Sequence, residues 1–191
     1  MKSSYRRFRQ LALESFESRL VPASATVTYT DLDGDLVRVT ASLPNTLSVP
    51  PLDASDLAFV SGGANGLLRT LTLTESGFDG ANIVFTVTKK PGGDGLAHVG
   101  FIDAIGVDLG RVVVNGDLGK IVAGDAVTLN DPGLNLLQAR SMGTLGLYTQ
   151  GLFADLNSVI TGRLGALRVR GDFTDAFLNV IGGADGQIGS V

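Results

Sequence analysis

One phrase recurs through the second half of the chain and constrains its fold more than any other feature. It runs Leu109-Gly110-Arg111-Val112-Val113-Val114-Asn115-Gly116-Asp117, then Leu118-Gly119-Lys120-Ile121-Val122-Ala123-Gly124-Asp125. It returns as Met142-Gly143-Thr144-Leu145-Gly146-Leu147 and as Leu164-Gly165-Ala166-Leu167-Arg168-Val169-Arg170-Gly171-Asp172, and begins again at Ile188-Gly189-Ser190-Val191. From Leu118 onward the phrase starts lie 24, 22 and 24 residues apart. Alternating apolar positions, Gly-Asp corners and a short period are the signature of a solenoid, whose repeats bury their apolar faces on one another.

Alternation assigns the faces. Val112/Val114, Ile121/Ala123, Leu145/Leu147 and Leu167/Val169 are expected inside, and Arg111, Lys120, Thr144 and Arg168 outside. The apolar pairs Val159/Ile160 and Leu178/Val180 supply the second half of the coil. A coil of this length suits three short strands and three corners, so the expected fold is all-β, a parallel β-helix from about residue 106. The final phrase has no cap, which leads us to expect further coils or a partner over that edge.

Upstream, period two also dominates. Ala25–Thr30 and Leu36–Thr40 read as strands joined by the turn Asp31-Leu32-Asp33-Gly34-Asp35. Leu57–Val60, Leu67–Thr74, Ile83–Thr88 and Val99–Ile105 read as further strands separated by Gly- and Pro-bearing loops. The 26 glycines, about twice the usual share, sit between these runs and mark corners. The expected organisation is a basic segment over 1–23, a hairpin-containing β region over 24–105 that caps the solenoid, and the repeats over 106–191.

Charge separates the first of these from the rest. Lys2, Arg6, Arg7, Arg9 and Arg19 against Glu14 and Glu17 leave residues 1–23 at +3; with a total of −4, the remainder carries −7. An acidic body argues against nucleic acid as a partner. Without cysteine there is neither a disulfide framework nor a thiolate metal site. No run approaches the ~18 apolar residues of a membrane span. Ala23-Ser24-Ala25 fits a small-x-small cleavage site, but three charges between Leu11 and Leu20 interrupt the apolar centre of a signal peptide. Leu11, Leu13, Phe16 and Leu20 suit one side of a short amphipathic helix instead.

Three stretches carry a family resemblance. Phe16-Glu17-Ser18-Arg19-Leu20-Val21-Pro22-Ala23 is similar to a sorting segment of the LEPR-XLL kind, with Phe in place of the leading Leu and the Pro displaced. Val27–Asp35 is similar to the hairpin that often follows it, and Val99–Gly110 leads into the repeat phrase. Together they resemble planctomycete-type surface proteins with parallel β-helix repeats. The resemblance implies export to the cell surface or extracellular space and carries no catalytic residues with it.

The best candidate site is Asp31, Asp33 and Asp35, three hard-oxygen donors that suit Ca²⁺. An EF-hand register fails, because Leu36 and Ser42 fall where Gly and Glu are needed. Turn chemistry explains the same residues as a hairpin corner. The Asp residues of Gly116-Asp117, Gly124-Asp125 and Gly171-Asp172 are expected to accept corner amides in preference to forming a carboxylate ladder.

Catalytic signals are sparse. His98 is the single histidine, Glu75 the single glutamate beyond the N-terminal segment, and no Gly-x-Ser-x-Gly elbow occurs. Asp103 and Asp108 are the carboxylates left for a glycosidase pair. Lys89-Lys90 and Arg163, Arg168 and Arg170 read as solvated cations, with Arg168 and Arg170 sharing a strand face that can meet an acidic glycan. The expected function is a non-enzymatic cell-surface or secreted structural or adhesive β-solenoid module. Its expected partners are cell-wall or extracellular glycan or further coils of a longer surface protein. No cofactor is expected beyond the Ca²⁺ alternative. The competing class is a carbohydrate-active β-helix enzyme, which a cleft with clustered Asp side chains would favour.

Overall fold

The structure is a computed structural model, and it describes residues 23–43, 49–61, 63, 65–125, 132–151, 155–182 and 186–191. The basic segment, the amphipathic run within it and the sorting-segment resemblance up to Pro22 lie outside the described residues.

The described chain is all-β, with three single-turn 3₁₀ segments (Ala54–Asp56, Ser76–Phe78 and Gly146–Thr149) and no α-helix. Its strands are β1 (Ala23–Thr30), β2 (Leu36–Leu43), β3 (Leu57–Phe59), β4 (Leu68–Thr72), β5 (Ala81–Thr88) and β6 (Val99–Ile105). They continue with β7 (Leu109–Gly124), β8 (Leu134–Met142), β9 (Asn157–Thr161), β10 (Leu164–Val169) and β11 (Phe177–Ile181). Every strand expected upstream of residue 106 is present to within three residues at either end. β-branched residues on alternate positions make them so: Val37, Val39 and Ala41 of β2 are buried, while Arg38 between them is exposed.

These strands form one curled open sheet. β1 and β2 are an antiparallel hairpin, and β2 pairs antiparallel with β5. From there onward the neighbours run parallel: β5 with β7, β7 with β8, and β8 with β10; likewise β4 with β6, β6 with β7, β7 with β9, and β9 with β11. Parallel neighbours require the chain to cross over between them. The 16-residue β7 serves both series. Its first half pairs with β5 and β8, its second half with β6 and β9, and the β8 register shifts between Val114 and Asp117. β5 and β6 thus pair with β7 across residue 106.

Register stacks like on like. Ile83, Val112, Leu137 and Leu167 form one row, Ala104, Ala123, Ile160 and Val180 another, and Leu109, Leu134, Leu164 and Ile188 a third. The first row is buried throughout, within one apolar cluster that extends from Tyr29 to Leu167. Burying a Leu or Ile side chain is worth about 1.5–3 kcal/mol, so rows of this kind carry the fold. Gly110, Gly165 and Gly189, which follow Leu109, Leu164 and Ile188 of the third row, have a steric cause. A Cβ on Gly165 would overlap the Asn135 carbonyl, and one on Gly189 the Gly165 carbonyl.

One stretch departs from the repeat. Leu145 and Leu147, expected inside by alignment with Ile121 and Ala123, are 37% and 55% exposed. Met142 stacks on Leu118, as the phrase implies, but the chain then leaves the sheet. Gly143 and Gly146 adopt left-handed backbone, at φ +76° and +58°, and the Asp117 carboxylate takes the Thr144 and Leu145 amides at 3.0 Å each. A strand there would need those two donors.

Candidate functional site

The turn between β1 and β2 holds the three candidate aspartates. Gly34 provides the left-handed residue (φ +96°), and Asp35 donates its N–H to Asp31 Oδ1 at 2.7 Å. Asp35 then turns inward and is fully buried. Its Oδ1 accepts the Lys90 N–H at 2.5 Å and its Oδ2 the Gly95 N–H at 2.6 Å, while Asp33 Oδ2 accepts the Asp94 N–H at 2.7 Å. The hairpin turn therefore fastens the loop that follows β5. Gly93 in that loop lies against the Asp35 carboxylate, and a Cβ there would overlap it.

The three candidate ligands do come together: Asp31, Asp33 and Asp35 each offer an oxygen within 4.8 Å of the others. That arrangement suits a hard cation. Their roles differ, however. Asp35 already holds two amides, while Asp31 and Asp33 lie side by side nearer the surface. Burial, reinforced by the hydrogen bond and charge of Asp33, pushes the Asp31 carboxyl up to about 7. Asp33 is held below the ordinary carboxylate range, chiefly by the Asp31 hydrogen bond. The pair thus keeps one proton between them near neutrality. Tyr29, two residues upstream on the same face, is 4% exposed, and its hydroxyl finds no hydrogen-bond partner among the described residues. Burial first, and the Asp31 charge second, push that phenol well above its usual range.

Asp31 and Asp33 form one wall of a cleft of about 220 Å³. Asp94 and His98 continue the polar side; Leu32, Leu67, Leu145 and Tyr148 make the apolar side. His98 Nδ1 accepts the Asp117 N–H at 3.1 Å, which places the neutral ring's proton on Nε2, facing Asp94 Oδ2 at 3.5 Å. Both ring nitrogens are therefore engaged, and neither offers a lone pair to a substrate. Asp94, Leu145 and Tyr148 were not singled out as site residues from the sequence. They reach the hairpin only through pairing between distant strands, and a Gly93-Asp94-Gly95 turn was the one local signal.

The corner aspartates divide. Asp117 is 2% exposed and accepts Ser141 Oγ at 2.7 Å as well as the two amides of the 144–145 corner, the role expected of it. Ser141 is its neighbour in register, so no second carboxylate stacks on it there. Asp108 Oδ1 accepts the Asp125 N–H at 3.2 Å, and Asp172 is exposed. Asp103 Oδ1 accepts the Ile105 N–H at 3.3 Å, a local turn contact. Lys89, Lys90, Arg163, Arg168 and Arg170 are all exposed.

No family model, curated protein or solved structure matches this chain. No helix among the described residues is long and apolar enough to cross a membrane.

Proposed function

We propose that the chain is a non-enzymatic structural or adhesive module of the cell surface or extracellular space, built as a parallel β-solenoid from about residue 106 and capped by the hairpin region before it. The observation that carries this reading is the in-register stacking of Leu109, Leu134, Leu164 and Ile188 on parallel neighbours. Such rows make a rigid rod whose outward residues are free to contact partners. The polar residues best placed for chemistry support the non-enzymatic part: Asp35, Asp117 and His98 each hold backbone groups in place. Partners under this reading are cell-wall or extracellular glycan and further coils of a longer surface protein.

The test is surface exposure. Intact source cells treated with a non-permeant protease should lose the protein while a cytosolic control survives. Protection until the cells are lysed would overturn the surface assignment.

The cleft beside Asp31 favours a second reading, a carbohydrate-active enzyme. A raised carboxyl beside an ionised one is the electrostatic pattern of an acid and its partner. Their separation opposes it: the two carboxyls bond to each other, closer than the ~5 Å that a retaining glycosidase needs. Release of reducing ends from polysaccharide by the wild type, lost in Asp31→Asn, would establish this second reading.

A further inference from the structure

The body of this protein is acidic, yet one face of its sheet is not. β1, β2, β5, β8, β10 and residues 109–115 of β7 contain no Asp or Glu at all. The same strands and the residue after β10 carry Arg38, Arg111, Arg140, Arg168 and Arg170, every one exposed. Register puts them on a single side. Thr40, Val84, Val113, Gln138 and Arg168 form one continuous row across β2, β5, β7, β8 and β10, all facing away from the buried Val39, Phe85 and Val112. Arg38 lies opposite Thr86 on the same outward side.

At one end of this face the cations converge. The Gly171 N–H bonds the Arg140 carbonyl at 2.7 Å, and the Arg170 N–H bonds the Ala139 carbonyl at 3.3 Å, setting Arg170 beside Arg140. Adjacent strands are about 4.8 Å apart, so the two arginines stand side by side on neighbouring backbone segments. Both line a groove of about 360 Å³, together with Val113, Asn115 and Gln138. None of the five arginines forms an ion pair among the described residues.

We infer that this face is the docking surface for an acidic polysaccharide, with Arg140 and Arg170 gripping a carboxylate or sulfate and Gln138 and Asn115 meeting neighbouring hydroxyls. The inference rests on the adhesive reading above and names the partner's chemistry. Guanidinium forks match oxyanions bidentately, and side-chain amides both donate and accept, as sugar hydroxyls do. Two other polyanions fit less well. The outward positions of these strands hold no aromatic ring on which a base can stack, and no bulky exposed apolar side chain to enter a bilayer.

The full chain is tested on immobilised polygalacturonate, with neutral dextran and phosphatidylglycerol-containing vesicles as comparisons. Retention on polygalacturonate should fall with rising salt, and dextran should retain nothing. R140Q/R170Q should lose affinity about tenfold, whereas K89Q/K90Q, which removes the same charge from the loop after β5, should stay within about twofold. R38Q/R168Q provides a second pair should the first melt early. Equal losses in the Arg and Lys pairs, unchanged binding by both Arg pairs, or tighter binding to vesicles than to polygalacturonate would overturn the proposal. Loss of polygalacturonate binding alone, with the protein still protease-accessible on cells, removes the docking face and leaves the surface reading standing. Protection in intact cells removes the surface reading and leaves a measured affinity in place.

Discussion

The Asp35 carboxylate accepts the backbone N–H of Gly95 at 2.6 Å, across 60 residues of chain. With its other oxygen on Lys90, this one buried side chain connects the first hairpin to the loop that leads into β6. Replacing Asp35 with Ala removes the acceptor for two amides. We expect a loss of about 2–6 kcal/mol in urea unfolding, from two donors at about 1–3 kcal/mol each, with the lower end favoured by the part-exposed loop that carries them. Asp35→Asn keeps one acceptor oxygen and should lose less. Equal stability of wild type and Asp35→Ala would show that water replaces the carboxylate.

The departure of the chain at Met142 separates two otherwise similar substitutions. Leu145→Asp places a charge at a site already 37% exposed and should change stability by no more than about 0.5 kcal/mol. Leu167→Asp places it in the row with Leu137 and Val112, at 8% exposure, and should prevent cooperative folding. Thermal unfolding by circular dichroism distinguishes them.

That contrast also marks how far the sequence was legible. Alternation and β-branching located the early strands, because a strand half-buried on a sheet writes period two into its own residues. The interior placement of Val112, Val114, Ile121 and Ala123 followed from the same rule and holds. Leu145 and Leu147 obey the same pattern but face out, since the capture of their amide neighbours by Asp117 depends on a residue 28 positions away. The candidate site shows the same limit. Asp31, Asp33 and Asp35 are adjacent in sequence and were found; the partners that give them distinct roles come from loops 55 to 61 residues distant. Arg168 and Arg170 were visible as a pair on one strand, whereas Arg140 joins them only through register.

Asp31 predicts the pH dependence of stability. Its folded value, about 7, lies above the ordinary 3.8, so between these values the folded state holds more protons than the unfolded chain. This group's contribution therefore favours folding at low pH and is lost as pH rises through about 7. Asp33, lowered by the same hydrogen bond, acts in the opposite sense below about 4, where its contribution is lost on acidification. Asp31→Asn should be more stable than wild type at pH 8, and its unfolding midpoint should vary less between pH 5 and 8. A wild-type midpoint that rises over that interval, while the Asn variant's does not, would reverse this assignment.

Tyr29→Phe should cost nothing and can stabilise the protein by about 1 kcal/mol, because it removes a buried hydroxyl that has no partner among the described residues. The ring stays, with its edge-on contact to Phe59 at 5.2 Å between centroids. A clear loss of stability in denaturant unfolding would reveal a partner for that hydroxyl.

For calcium, the expected outcome follows from Asp35. With both its oxygens already on amides, two carboxylates that share a proton remain, and millimolar Ca²⁺ should leave Tm unchanged at pH 7. A rise in Tm that chelator reverses, and that Asp31→Asn abolishes, would assign the ion to this turn.

β7 is bonded to β5, β6, β8 and β9, and no other strand has as many neighbours among those described. Its amides lie in the middle of the sheet, with a paired strand on either side, so fraying of the sheet's edges does not expose them. Deuterium should therefore enter last at Val112 and Ile121, and earlier at β1, β3 and β11, each held by one neighbour. The molecule comes apart from its margins, and the strand that carries the repeated phrase twice over is the last to let go.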